Sequence, residues 1–208
     1  MAYLKDPQQI YQASFAAIRE EADLDCLPEI LRAIVLRMIH ACGMTDIVTD
    51  IRYDPAVADA AGNALLSGAP ILADCEAVGA AIIRRFLPAD VEILCTLNDP
   101  RTPELAAERG TTRSAAAVSL WEEHLAGAVV VIGNAPTSLF ALLEALDAGA
   151  PKPAAILATP VGFVGAAESK QALSGNPRGV PFLTLLGRRG GSAIAAAALN
   201  AIALEHAQ

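Results

Sequence analysis

The stretch AVVVIGNAPTSLFALLEALD, residues 128–147, decides the fold. Residues 128–132 are apolar without a break and mostly β-branched, which suits a strand buried on both faces. Gly133 permits close backbone approach. Pro136 opens a helix at a position where its missing N–H costs nothing. Apolar residues then recur at helical spacing as far as Asp147. The unit is strand, turn, helix, and it repeats along the chain. Further strands are predicted at 70–73, 91–97, 154–159 and 181–186. Helices are predicted at 75–86, 102–109, 112–126, 165–174 and 191–205. Strands separated by helices imply right-handed crossovers and parallel pairing. The expected fold is therefore a doubly wound α/β domain, with a mostly parallel five-stranded sheet and helices on both faces.

Upstream of residue 69 the texture is purely helical. Asp6-Pro7 is a cap followed by proline, and opens a helix over 7–22. Leu27, Ile30, Leu31, Ile34, Val35, Met38 and Ile39 form one apolar stripe, with Gly43 as its stop. Asp54-Pro55 and Gly68 bracket a third helix. No repeat or low-complexity linker divides the chain. It reads as a single domain over 1–208, in which a helical segment 1–68 packs on an α/β core 69–208. The Ala-rich tail 193–203 reads as a close-packed helix.

The 208 residues are 54% apolar and 18% charged, so disorder is excluded. Fifteen basic against 23 acidic residues give a net charge of −8, unfavourable for sequence-independent nucleic-acid binding. The longest apolar run, 193–199, is far short of the roughly 20 residues that span a bilayer. No basic segment followed by an apolar core opens the chain, and a cytoplasmic location is expected. Cys26, Cys42, Cys75 and Cys95 show no CxxC spacing and read as small buried hydrophobes in a reducing compartment. So high an apolar fraction also suits a buried oligomer interface.

In open parallel sheets the ligand crevice lies beyond the carboxyl ends of the strands. That nominates Asp74-Cys75-Glu76, the loop 98–101, the turn 133–138 and the loop 160–165. Thr137 and Ser138 supply hydroxyls beside free helix N–H groups, an N-terminus suited to a carboxylate or phosphate. Asp74 either meets a ligand or caps the helix that follows it. Thr112, Arg113 and Ser114 open another helix, where the arginine opposes the dipole and so suggests an anionic partner. G-x-G-x-x-G, Walker A, HExxH and GxSxG are all absent. Of three histidines, His206 is terminal and His124 reads as a surface group. His40 falls in the last turn of a helix, where the dipole favours positive charge, and Arg37 projects from the same face.

Taken together, 33-AIVLRMIHACG-43, 112-TRSAAA-117, 131-VIGNAPT-137, 160-PVGFVGAAESK-170 and Gly190-Gly191-Ser192 resemble the signature blocks of the precorrin-8X methylmutases of cobalamin biosynthesis. The resemblance runs from about Tyr11 to about Leu199. It implies an isomerase that moves a methyl group from C11 to C12 of precorrin-8X to give hydrogenobyrinic acid. No diffusible cofactor and no metal are implied. His40 matches the family histidine that protonates or hydrogen-bonds a ring nitrogen, and Ser14 matches a substrate-contacting position. Arg113 and Ser114 are expected to grip carboxylates of the macrocycle, aided by Arg37, Asn134, Thr137 and Lys170. A homodimer holding the macrocycle near its interface is implied as well. Two rival readings are a Rossmann-like methyltransferase and a non-catalytic corrinoid carrier.

Overall fold

Each predicted run finds its element where local signals are strong. In the computed structural model, which describes residues 3–207, α1 spans Pro7–Glu21 and α2 spans Glu29–Cys42. The Asp6 carboxylate accepts from the Gln9 N–H at 2.8 Å and caps α1. Gly43 ends α2 in the left-handed conformation, φ 68°, and its N–H returns to the Ile39 carbonyl. α3 covers Val57–Leu66, and Asp54 accepts from the Ala56 N–H just before it.

Among the described residues, six strands form one sheet: β1 Ile51–Tyr53, β2 Ile71–Ala73, β3 Ile93–Leu94, β4 Val129–Ile132, β5 Ala155–Ala158 and β6 Phe182–Leu185. Their order is β1-β6-β5-β4-β2-β3. All neighbours are parallel except β1, which runs against β6 with Ile51 opposite Leu185. The five-strand expectation is thus corrected to six. Three residues carry no readable period, and β1 exists because β6 offers it an edge. β3 also shrinks from 91–97 to two residues, because an edge strand is paired on one side only.

The helices are α4 Glu76–Ala81, α5 Thr102–Glu108, α6 Arg113–Val118, α7 Pro136–Asp147, α8 Ala166–Gly175 and α9 Ser192–His206. Two expected helices are shorter than predicted. The segments 84–86 and 119–124 tighten into 3-10 turns.

Side-chain alternation along the strands divides the core in two. Ile71, Ala73, Val129, Val131, Ala155, Leu157, Leu183 and Leu185 face α2, α3, α4 and α9. Leu72, Val130, Ile132, Ile156, Ala158 and Phe182 face α6, α7, α8 and the buried Trp121. Such two-sided burial is why the strands read as unbroken apolar runs. α9 is buried along most of its length, and its alanines let α2, α3 and α4 approach closely. Of the cysteines only Cys75 is buried and Cys26 is exposed, which corrects the expectation for the set. No described helix is long and apolar enough to cross a membrane.

Candidate active site

Two groups of residues carry the candidate chemistry. The first is built by α1 and α2. Tyr11, Ser14 and Phe15 stand at i, i+3 and i+4 on α1 and face the last turn of α2. The Ser14 hydroxyl lies 2.8 Å from Nδ1 of His40. The Tyr11 ring tilts over the imidazole with centroids 5.1 Å apart, and Phe15 meets it edge-on at 5.4 Å. His40 is exposed, and among the described residues its Nε2 makes no hydrogen bond. The imidazole is therefore oriented at one nitrogen and open at the other.

Arg37 and Arg19 both lie within 6 Å of the Phe15 ring, at 5.6 and 5.9 Å. They line an open cavity of about 590 Å³ between α1 and α2. Neither forms an ion pair among the described residues, although Asp23, Asp25, Glu29 and Glu205 line the same cavity. Tyr11, Phe15 and Arg19 were missed by sequence reasoning. The signal that could have found them is their own spacing at i, i+4 and i+8 along α1.

The second group surrounds the point where the strand order reverses, between β2 and β4. In doubly wound folds that crevice commonly holds a nucleotide. Here Asp74 fills it. The carboxylate is 2% exposed, and it reaches across the sheet rather than capping α4. One oxygen accepts from the Gly133 N–H at 2.9 Å, the other from Asn134 at 3.0 Å and Ala135 at 2.8 Å. Burial raises the Asp74 pKa, and the three N–H groups offset this only in part. A Cβ on Gly133 would stand 2.6 Å from the Ser192 Cα, so glycine is obligatory there. The Gly133, Asn134 and Ala135 N–H groups are therefore not free for a ligand anion, because the chain supplies its own carboxylate.

Arg113 is exposed and donates through one nitrogen to the Leu97 carbonyl and to Asn98 Oδ1, both at 3.0 Å. Its other N–H groups remain available. The Thr112 hydroxyl accepts from the Ala115 N–H and donates to Thr137 at 2.9 Å. Ser138 donates to the Ser114 carbonyl at 3.2 Å. Arg113, Ser114 and Thr137 thus share one cluster with Asn134, whose side chain is exposed. In the loop 98–101, Asp99 is held down to about 2 by hydrogen bonds from Arg101, so those two charges satisfy each other.

Lys170 stands apart from both groups. Its side chain has no solvent exposure, and Nζ donates to the Arg189 carbonyl at 2.6 Å. Burial pulls its pKa down to about 8. The expectation of direct substrate contact is corrected, since the ammonium is turned inward. Among the described residues no three His, Cys, Asp or Glu side chains gather as a metal site would require.

Fold and site together define a doubly wound α/β protein that presents an exposed, serine-oriented imidazole. The family described as precorrin-8X methylmutase matches residues 9–205. A precorrin-8X methylmutase from Pseudomonas aeruginosa is 57% identical over 98% of each chain. A cobalt-precorrin-8 methylmutase from Priestia megaterium is 35% identical over 95% of this chain and 88% of its own. A crystal structure of precorrin-8X methyl mutase from Thermus thermophilus superposes with TM-score 0.86 at 35% identity, covering 96% of each chain. The chain belongs to the precorrin-8X methylmutase family.

Proposed function

We propose that this chain is an isomerase of cobalamin biosynthesis that converts precorrin-8X to hydrogenobyrinic acid. The C11–methyl bond breaks as the C12–methyl bond forms, so every atom of the substrate is retained and no donor is consumed. The metal-free substrate is favoured by the 57% identity to relatives named for precorrin-8X, against 35% for those named for its cobalt form.

The observation that carries the reading is the Ser14–His40 pair between two aromatic rings, in a chain that matches the family over nearly its full length. Ser14 fixes the imidazole through Nδ1. Nε2 then shares a proton with a ring nitrogen of the macrocycle and favours the rearranging tautomer. The aromatic rings of Tyr11 and Phe15 offer the macrocycle an apolar contact. The net charge of −8 opposes long-range attraction of a polycarboxylate, so binding depends on local cations. Arg113 and Arg37 fill that role, with Ser114, Asn134 and Thr137 as neutral partners. No diffusible cofactor takes part.

A homodimer fits the exposed apolar tip of the loop after β5, where Phe163 and Val164 are 84% and 88% exposed beside the strand ends. A cytoplasmic location fits a chain with free cysteines.

Turnover of authentic precorrin-8X tests the reading. His40→Ala should lower kcat by ~10²–10⁴-fold, the span of a general acid–base group, with product affinity nearly kept. A wild-type chain that binds product tightly without turnover is a carrier, and the isomerase reading then fails. A destabilised but fully active His40→Ala removes His40 from the chemistry.

A further inference from the structure

Lys170 is a buried cation that the reaction, as derived above, does not use. Its ammonium meets one carbonyl at 2.6 Å and has no carboxylate within ion-pair distance among the described residues. Such a group costs the fold stability, because an ammonium with one partner does not recover its hydration. A residue that breaks the rules of core packing points to a gain elsewhere.

The carbonyl it holds belongs to Arg189, in the loop between β6 and α9. That loop contacts the turn after α2, the loop after β5 and, through Ser192, the turn after β4. The Arg189 guanidinium bonds Asp46 at 2.7 Å and Asp50 at 2.8 Å, in the turn that follows α2 and His40. The Arg188 carbonyl accepts from Gly162 at 3.1 Å, and the Gly191 N–H donates to the Thr159 carbonyl at 2.8 Å. Gly190 lies so close to the Thr159 carbonyl that no side chain fits. Ser192 backs onto Gly133, the residue held by Asp74. Arg189 therefore ties the turn that follows α2 to the loop that runs past the strand ends. Its backbone is fixed by Lys170 and its side chain by the two aspartates.

We propose that Lys170 is a positioning residue, which sets the alignment of His40 with the strand-end cluster by fixing the Arg189 carbonyl. The inference rests on the isomerase reading. Its chemistry is indirect, since Lys170 touches no reacting atom. Removing the ammonium frees the 187–191 loop to shift, and displacements on the order of 1 Å cost ~10²-fold in reactions that depend on orientation.

Lys170→Met, Asp50→Asn and their combination, in the full chain, provide the test. Lys170→Met should stay folded and melt at or near the wild-type temperature, because relief of the buried charge offsets the lost hydrogen bond. Its kcat should fall about tenfold or more, with affinity for hydrogenobyrinic acid within about threefold of wild type. Both substitutions act through Arg189, so the double variant should be scarcely slower than the slower single one. A purely structural lysine gives the opposite pattern, with lower melting temperature and unchanged turnover per folded molecule.

Wild-type kcat in folded Lys170→Met overturns the proposal, as does a rate loss matched by equal loss of product affinity. So does a double variant whose rate losses multiply. Should Lys170→Met fail to fold, Lys170→Arg, which keeps the charge but not the compact donor, is held to the same split between kcat and affinity. Wild-type turnover separates the two readings. Without it the isomerase assignment falls first, whereas with it an unimpaired Lys170→Met removes only this inference.

Discussion

Asp74→Asn should destabilise the protein severely, although it replaces one planar group by another of equal size. The wild-type carboxylate satisfies three buried N–H groups, two on one oxygen and one on the other. Asparagine keeps one acceptor oxygen. Turned for the smallest loss, that oxygen takes the Asn134 and Ala135 N–H groups, and the amide nitrogen then faces the Gly133 N–H. One charge-assisted hydrogen bond is lost, worth roughly 1.5–3 kcal/mol, and the other two weaken as the acceptor becomes neutral. Removal of a buried charge offsets part of this, which leaves about 2–4 kcal/mol. For a chain of this size each kcal/mol lowers Tm by roughly 2–4 °C, so a fall of about 4–16 °C is expected. Calorimetry and urea titration read it directly, with a lower midpoint at an unchanged slope. Asp74→Ala should fall further, because all three N–H groups are orphaned. An Asp74→Asn protein melting within about 2 °C of wild type would refute the reasoning, since it would mean that water satisfies the turn.

Ser14→Ala removes the group that orients His40 while leaving the ring in its aromatic cage; kcat should drop by about tenfold, less than for His40→Ala, and equal losses in the two would show that Ser14 does more than orient. Arg113→Ala should weaken product binding by ~10- to 150-fold, from about 1.5–3 kcal/mol of charge-assisted hydrogen bonding, with kcat little changed; titration calorimetry with hydrogenobyrinic acid checks it, and unchanged affinity places Arg113 outside the site. Lys170 binds its proton less tightly in the folded chain, at about 8, than its ordinary 10.5. Above pH 8 the unfolded chain therefore holds more protons, and wild-type stability should gain about 1 kcal/mol from this group between pH 8 and pH 9. Urea unfolding at the two pH values should lack that gain in Lys170→Met.

The sequence alone determined β2, β4, β5 and β6, because strands covered on both faces must be apolar at every position, and that signal is local. It determined the starts of α1 and α7 as well, since a cap residue and a proline act on their immediate neighbours. The place of His40 on α2 followed from the apolar stripe beside it. What it bonds did not. Ser14 lies 26 residues away, and only the packing of α1 on α2 brings its hydroxyl to Nδ1. The partner of Asp74 was likewise misjudged. Sequence neighbourhood pointed to the next helix, whereas the strand order placed the carboxylate beside a turn 59 to 61 residues further on. Lys170 looked available because lysine is ordinarily solvated, and the tertiary structure buried it under the 187–191 loop. β1 was invisible for a different reason, since its three residues are too few to carry a period. Elements are written in the spacing of near neighbours, but the partners of polar groups are chosen by contacts between residues far apart in the chain, which exist only once the sheet order and the helix packing are set.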